Sequence, residues 1–155
     1  MEAALRMLAR RALSEGEIRG RLAKKGFPDG PAQAAILRLR ELGLADDPKL
    51  CGQLVRYYRE TRGYGPAKIA WTLRTRGFPR ELIEDSVRRG CSPEEEIADA
   101  AAALRKKFRG GLPPGREGAA RAYRFLAGRG FSPDACRRAV GRMPKDIHEG
   151  EDPIP

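Results

Sequence analysis

The chain has 155 residues, 41% of them hydrophobic and 34% charged, with a formal net charge of +10 and a pI near 10.1. That is enough apolar side chain for a core under a heavily charged surface, and the excess of cations points to a polyanionic partner, nucleic acid or an acidic protein face. Three cysteines spaced 40 and 45 residues apart (Cys51, Cys91, Cys136) and a single histidine (His148) exclude a disulfide framework, a zinc site and a histidine-based nucleophile relay.

In chain order, residues 2–12 read as a short amphipathic helix, with Leu5, Leu8 and Ala12 near one face. Arg6, Arg10 and Arg11 interrupt this segment, so it lacks the hydrophobic block of a signal peptide. Ser14 and Glu17 form a capping box that starts a second helix ending at Gly26. A third helix spans about 31–42. Asp46-Asp47-Pro48 supplies an acidic N-cap and a first-turn proline for a fourth, running to about Arg62. Gly63-Tyr64-Gly65-Pro66 is a turn, followed by helices near 66–76 and 80–89. Ser92 and Glu95 make a second capping box for a helix through Lys107. Gly110-Gly111-Leu112-Pro113-Pro114-Gly115 reads as a flexible joint before helices near 116–128 and 133–142. Residues 144–155 are acidic and proline-containing, with the composition of a disordered tail. No segment alternates with period two and no stretch approaches the ~20 apolar residues of a membrane span, so the expectation is an all-α, cytoplasmic protein.

One phrase occurs three times: Leu22-Ala-Lys-Lys25-Gly26-Phe27, Leu73-Arg-Thr-Arg76-Gly77-Phe78 and Leu126-Ala-Gly-Arg129-Gly130-Phe131. Its glycines are 51 and then 53 residues apart, the signature of a tandem repeat. Ile18, Ile69 and Ala122 stand four residues before the leucines, on the same helical face. The glycine suits a left-handed helix cap, and the phenylalanine is expected to fold back onto the helices. Ala32/Ile36, Ile83/Val87 and Cys136/Val140 follow the phenylalanines at shared offsets. The expected architecture is therefore an elongated, curved array of three-helix units of about 50 residues, such units needing their neighbours for stability. Its boundaries are read as 1–62 (an N-terminal helix and the first unit), 63–109 (the second), 110–143 (a truncated third) and the tail 144–155.

Charge is uneven along this array. Residues 97–142 hold 11 basic and 3 acidic side chains, against 9 and 7 in residues 53–96 and 10 and 7 in residues 1–52. The candidate contacts to a polyanion are Arg56, Arg59, Arg62, Lys68, Arg74 and Arg76 in the middle, and Arg105, Lys106, Lys107, Arg121, Arg124, Arg129, Arg137 and Arg138 beyond it. For each, the simpler reading is a solvated helix face. Tyr57, Tyr58, Tyr64 and Tyr123 fit either stacking on bases or packing on protein, and with Trp71 they fit a partly buried core equally well. Gly63-x-Gly65-x-x-Lys68 is not a P-loop, since Ala67 and Ile69 stand where Gly and Ser/Thr are required. Asp46/Asp47 and Glu94/Glu95 sit at helix starts and are read as caps, not as catalytic carboxylates. No nucleophile, metal or cofactor constellation is present, so no catalytic residue, metal ligand or cofactor is assigned.

The run from Leu44-Ala-Asp46-Asp47 through Leu54-Val55-Arg56 and Thr61-Arg62-Gly63-Tyr64-Gly65-Pro66-Ala-Lys68-Ile69 to Leu73-Arg-Thr-Arg76-Gly77-Phe78 resembles the core of the RecX family, regulators of the bacterial RecA recombinase. Leu13-Ser14-Glu15-Gly16-Glu17-Ile18 resembles the family's start, and the similarity spans roughly residues 3–142. Leu50 and Cys51 depart from it, standing where the family has an aromatic and a small residue. The resemblance implies a non-enzymatic helical-repeat protein that binds the RecA–single-stranded DNA filament in its groove and suppresses ATP hydrolysis, strand exchange and coprotease activity. The expected protein is a monomer without a membrane partner. Read from the residues alone, two other functions stay open: a RecA-independent, sequence-tolerant DNA-binding protein, single- or double-stranded, and a helical adaptor that binds only protein.

Overall fold

The computed structural model describes residues 1–144, which form nine helices and no strand. They are α1 (Glu2–Leu8), α2 (Glu15–Lys24), α3 (Asp29–Glu41), α4 (Asp47–Glu60), α5 (Pro66–Thr75), α6 (Arg80–Gly90), α7 (Pro93–Lys107), α8 (Gly115–Gly128) and α9 (Pro133–Gly141). Several starts have a clear local cause. Both capping boxes form, Ser14 with Glu17 at α2 and Ser92 with Glu95 at α7. Asp46 accepts from the Lys49 N–H at 3.1 Å, and Ser132 accepts from that of Ala135 at 3.2 Å. Such caps stabilise a helix by about 1 kcal/mol each.

The repeated phrase ends α2, α5 and α8 in the same way. Gly26, Gly77 and Gly130 adopt φ of +86°, +79° and +85°. The Phe27, Phe78 and Phe131 N–H groups reach back to the Leu22, Leu73 and Leu126 carbonyls at 3.1, 3.3 and 3.2 Å. These are Schellman turns, in which glycine avoids the penalty other residues meet at positive φ. Phe78 and Phe131 fold into the core as expected. Phe27 does not, remaining 43% exposed. In the later units the long helices α4 and α7 pack along α6 and α9, whereas the seven-residue α1 packs on α2 without comparable contact to α3.

Three apolar cores divide the described chain. One joins Leu13, Ile18, Leu22, Ile36 and Leu39 from the α1–α3 region. The next joins Cys51 and Val55 of α4 to Ile69, Leu73, Phe78 and Ile83. The last joins Ile97, Ala100 and Leu104 of α7 to Leu126, Phe131, Cys136 and Ala139. The units are therefore α1–α3, α4–α6 and α7–α9. This phase differs from the expected boundaries at 62/63 and 109/110, which assigned each long helix to the pair before it. The long helix opens a unit instead, because α4 and α7 bury their apolar faces against the helices that follow. The third unit is complete, not truncated. The Gly110–Gly115 stretch lies inside it, with Leu112 packed on its core. Cys51 and Cys136 are core residues as expected, while the expected tail from residue 145 onward lies outside the described residues.

The units are joined through a contact that recurs. The turn at Gly77 rests against Gly16 in the first turn of α2, and the turn at Gly130 rests against Gly65 at the start of α5. At the second joint the Gly65 and Ala67 N–H groups donate to the Arg129 and Gly130 carbonyls at 2.7 and 3.0 Å. Amides left unpaired at the start of α5 thus meet carbonyls left unpaired at the end of α8, with opposite ends of two helix dipoles facing. At the first joint the Ser14 hydroxyl donates to the Arg76 carbonyl, and the Glu15 N–H donates to Asp47 Oδ1 at 3.0 Å.

A partly buried ion pair locks the first joint. The Arg76 guanidinium donates to both Glu17 oxygens at 3.1 Å, with the two side chains only 15% and 14% exposed. Burial pushes the Glu17 carboxyl up, but Arg76, the Ser14 N–H and Arg11 together hold it below the ordinary 4.5. A depressed carboxylate stabilises the fold fully above its unfolded value, and that stabilisation is lost as pH falls through its folded value. Glu17→Gln is therefore expected to lower unfolding free energy by about 1–3 kcal/mol near neutrality. The gap between variant and parent should close as pH drops below 4.5. Urea titrations across that range test this, and a gap independent of pH would refute it. Asp47, 8% exposed, has its carboxyl raised by burial and pulls the profile the other way in both proteins.

Candidate nucleic-acid interface

Of the fourteen basic residues singled out from the sequence, four are engaged in ion pairs with described residues. Arg76 holds the first joint. Arg59, in α4, donates to Asp99 of α7 at 2.5 Å and to the Gly90 carbonyl at 2.9 Å, with Glu95 at 3.4 Å. The hydrogen bond to Asp99 is the main cause of its raised pKa. Both are structural links between units. Arg56 and Arg138 form one-turn helix pairs with Glu60 and Asp134 at 3.6 and 3.1 Å, solvent-exposed contacts of small energy. Arg129 has no carboxylate but donates to the Arg62 carbonyl at 2.8 Å, so it too spans a joint.

The remaining cations are Arg62, Lys68, Arg74, Arg105, Lys106, Lys107, Arg121, Arg124 and Arg137. Like Arg129, none has a carboxylate among the described residues within ion-pair distance. Several converge across the second joint. Lys68 Nζ lies 4.3 Å from the Tyr64 ring centre and Arg62 Cζ lies 5.8 Å from it. The Arg62 hydrogen bond, with the charges of Lys68 and Arg129, holds the Tyr64 phenol below its ordinary 10. Arg129 reaches from the Arg62 carbonyl to the Phe125 ring, 5.3 Å away. Lys107 Nζ stands 5.9 Å from the same ring, and Arg121 stands 5.8 Å from Phe108. Phe108 and Phe125 meet edge to face at 5.5 Å.

The result is a cationic strip laid on aromatic rings, from Lys68 and Arg62 through Arg129 to Lys107 and Arg121. Each ring attracts the cation above it through its quadrupole, which orders long side chains without neutralising them. Arg124 and Arg137 lie apart, flanking an open apolar groove with Tyr123 and Val140 on α8 and α9. Arg74 lies on the outer face of α5; Arg105 and Lys106 are exposed in the last turn of α7.

Sequence reasoning found the cations but not the aromatic bed, because Phe108 and Phe125 meet only through the turn between α7 and α8. Trp71 was open to a core reading, yet it is 60% exposed. A signal was available: Trp71 is two residues from both Ile69 and Leu73, and such spacing points away from their buried face. Among the described residues no His/Cys/Asp/Glu group is arranged to hold a metal, and no helix is long and apolar enough to cross a membrane.

Comparison with known proteins matches the chain to three family models in tandem. They are the first three-helix domain of RecX over residues 1–39, the second over 46–87 and the third over 94–140. Those spans follow the three cores. The chain is 40% identical to the regulatory protein RecX of Thermus thermophilus, over 95% of this chain and 93% of that one. It is 34% identical to that of Halorhodospira halophila, over 96% and 91%. The crystal structure of RecX from Lactobacillus salivarius superposes with a TM-score of 0.78 at 20% identity, over 90% of this chain and 91% of that one. With its repeat, its core phase and its domain order all matched, the chain belongs to the RecX family of regulatory proteins.

Proposed function

We propose that the chain is a non-enzymatic regulator of the RecA recombinase, binding the RecA–single-stranded DNA filament and suppressing its ATPase, strand-exchange and coprotease activities. The carrying observation is the cationic strip across the second joint, whose members have no described carboxylate partner. A strip that crosses from one unit to the next follows a repeating polyanion better than it grips a compact ligand. It would meet the DNA backbone and acidic filament surface while successive units bridge neighbouring RecA subunits. On this reading the protein acts as a cytoplasmic monomer, without cofactor, in recombinational repair and the SOS response.

The test is single-stranded-DNA-dependent ATP hydrolysis by RecA, titrated with this protein at fixed salt. Hydrolysis is expected to fall below one protein per RecA. Unchanged hydrolysis at excess protein, with filament binding verified in parallel, would replace this reading with RecA-independent, sequence-tolerant DNA binding.

A further inference from the structure

Trp71 is the chain's one tryptophan, and it projects from the middle of α5 with 60% of its surface exposed. A lone exposed apolar residue means little by itself, but this one has a distinctive setting. Lys68 and Arg74 stand three residues before and after it, so a cation flanks the indole on either side of one helix face. Ala67 and Thr75, four residues before and after, are small and exposed and leave the ring open. No carboxylate occurs anywhere in α5. The first turn of the helix is fixed against the Gly130 turn, and Lys68 belongs to the cationic strip. The Tyr64 ring, by contrast, is already taken up by Lys68 and by Tyr58, stacked at 5.7 Å and 11°. Trp71 is the most exposed aromatic ring among the described residues, ahead of Tyr57 and Phe27.

We propose that Trp71 is a base-stacking platform through which this chain contacts single-stranded nucleic acid directly, Lys68 and Arg74 taking the phosphates on either side of the stacked base. An open π face bracketed by cations matches a polymer that alternates flat bases with anionic phosphates. An acidic protein surface would pair with the cations, but to cover the indole it would also have to present an apolar pocket between its acids. Double-stranded DNA keeps its bases stacked on one another, so the site selects unpaired strands. The inference rests on the reading above only in taking single-stranded DNA as the polymer.

The single tryptophan makes the test direct. The full-length protein, without RecA, is titrated at low salt with fluorescently labelled oligo(dT) and with an abasic strand of the same length. Label anisotropy reports binding and indole emission reports stacking. Oligo(dT) is expected to quench the indole at saturation, and the abasic strand to bind without quenching. Trp71→Ala, at a position outside the core, should weaken oligo(dT) binding by about tenfold without changing its salt dependence, and Trp71→Phe should restore part of that loss. Lys68→Gln should instead lower the salt slope by about 0.7. Absence of binding, equal quenching by the abasic strand, saturation without quenching, or unchanged affinity of Trp71→Ala would each overturn the proposal. So would quenching by DNA-free RecA alone, which would make this a protein-docking face. Suppressed RecA hydrolysis with an unquenched indole would sink this inference and leave the proposed function standing. A quenched indole with unaffected hydrolysis would do the reverse.

Discussion

Gly65→Ala is expected to undock the third unit from the second. A β-carbon at this position would lie 2.5 Å from the Gly130 carbonyl carbon and the Phe131 nitrogen, both main-chain atoms that no rotamer change can move aside. The joint must open, with loss of the Gly65–Arg129 and Ala67–Gly130 hydrogen bonds. Overpacking of about 1–3 kcal/mol and two bonds of roughly 1 kcal/mol each give a cost of about 3–5 kcal/mol. Because coupling in a repeat protein runs through its interfaces, the urea transition should also broaden or split. Gly52→Ala supplies the control. Gly52 lies within α4 with nothing within 4 Å of an added carbon, so the same substitution should stabilise by about 0.5–1 kcal/mol. Equal midpoints for the two variants would refute the joint as described.

Removing four charges from the strip should have the other large effect. Arg62, Lys68, Lys107 and Arg121 are each changed to Gln, sparing Arg129 because it holds the joint. For single strands the binding constant scales with salt to a power of roughly 0.7 per neutralised phosphate. Loss of four contacts therefore lowers affinity at ~0.1 M salt by up to several hundredfold and flattens the salt dependence by nearly three logarithmic units per decade. Filament binding measured across a salt series checks both. A parent protein whose affinity is flat in salt would remove the electrostatic basis of the interface. Arg56→Gln and Arg138→Gln, already paired with Glu60 and Asp134, should change little by comparison.

The helices were legible because their boundaries are local. Ser14, Asp46, Ser92 and Ser132 cap from their own first turns, and the three Leu-x-x-basic-Gly-Phe phrases end helices by main-chain bonds within six residues. The phase of the units was not local. Val55 and Leu104 show that α4 and α7 have buried faces, but either neighbouring helix pair could have covered them. The same limit governed the site. Arg59, Arg76 and Arg129 look like surface cations until Asp99, Glu17 and the Arg62 carbonyl arrive from 40, 59 and 67 residues away. Charge can be counted along a chain, whereas its neutralisation by distant groups is a property of packing.

The joints between units have a consequence for divergence. Their closest contacts are main chain against main chain and require the absence of a side chain at Gly16, Gly65, Gly77 and Gly130, with side-chain links such as Glu17–Arg76 and Arg129 laid over them. The spacing of the array is thus set by peptide geometry, as a ruler's divisions are set by its stock and not by the ink on its face. Surfaces can be rewritten from one lineage to another while the pitch at which they are presented stays fixed.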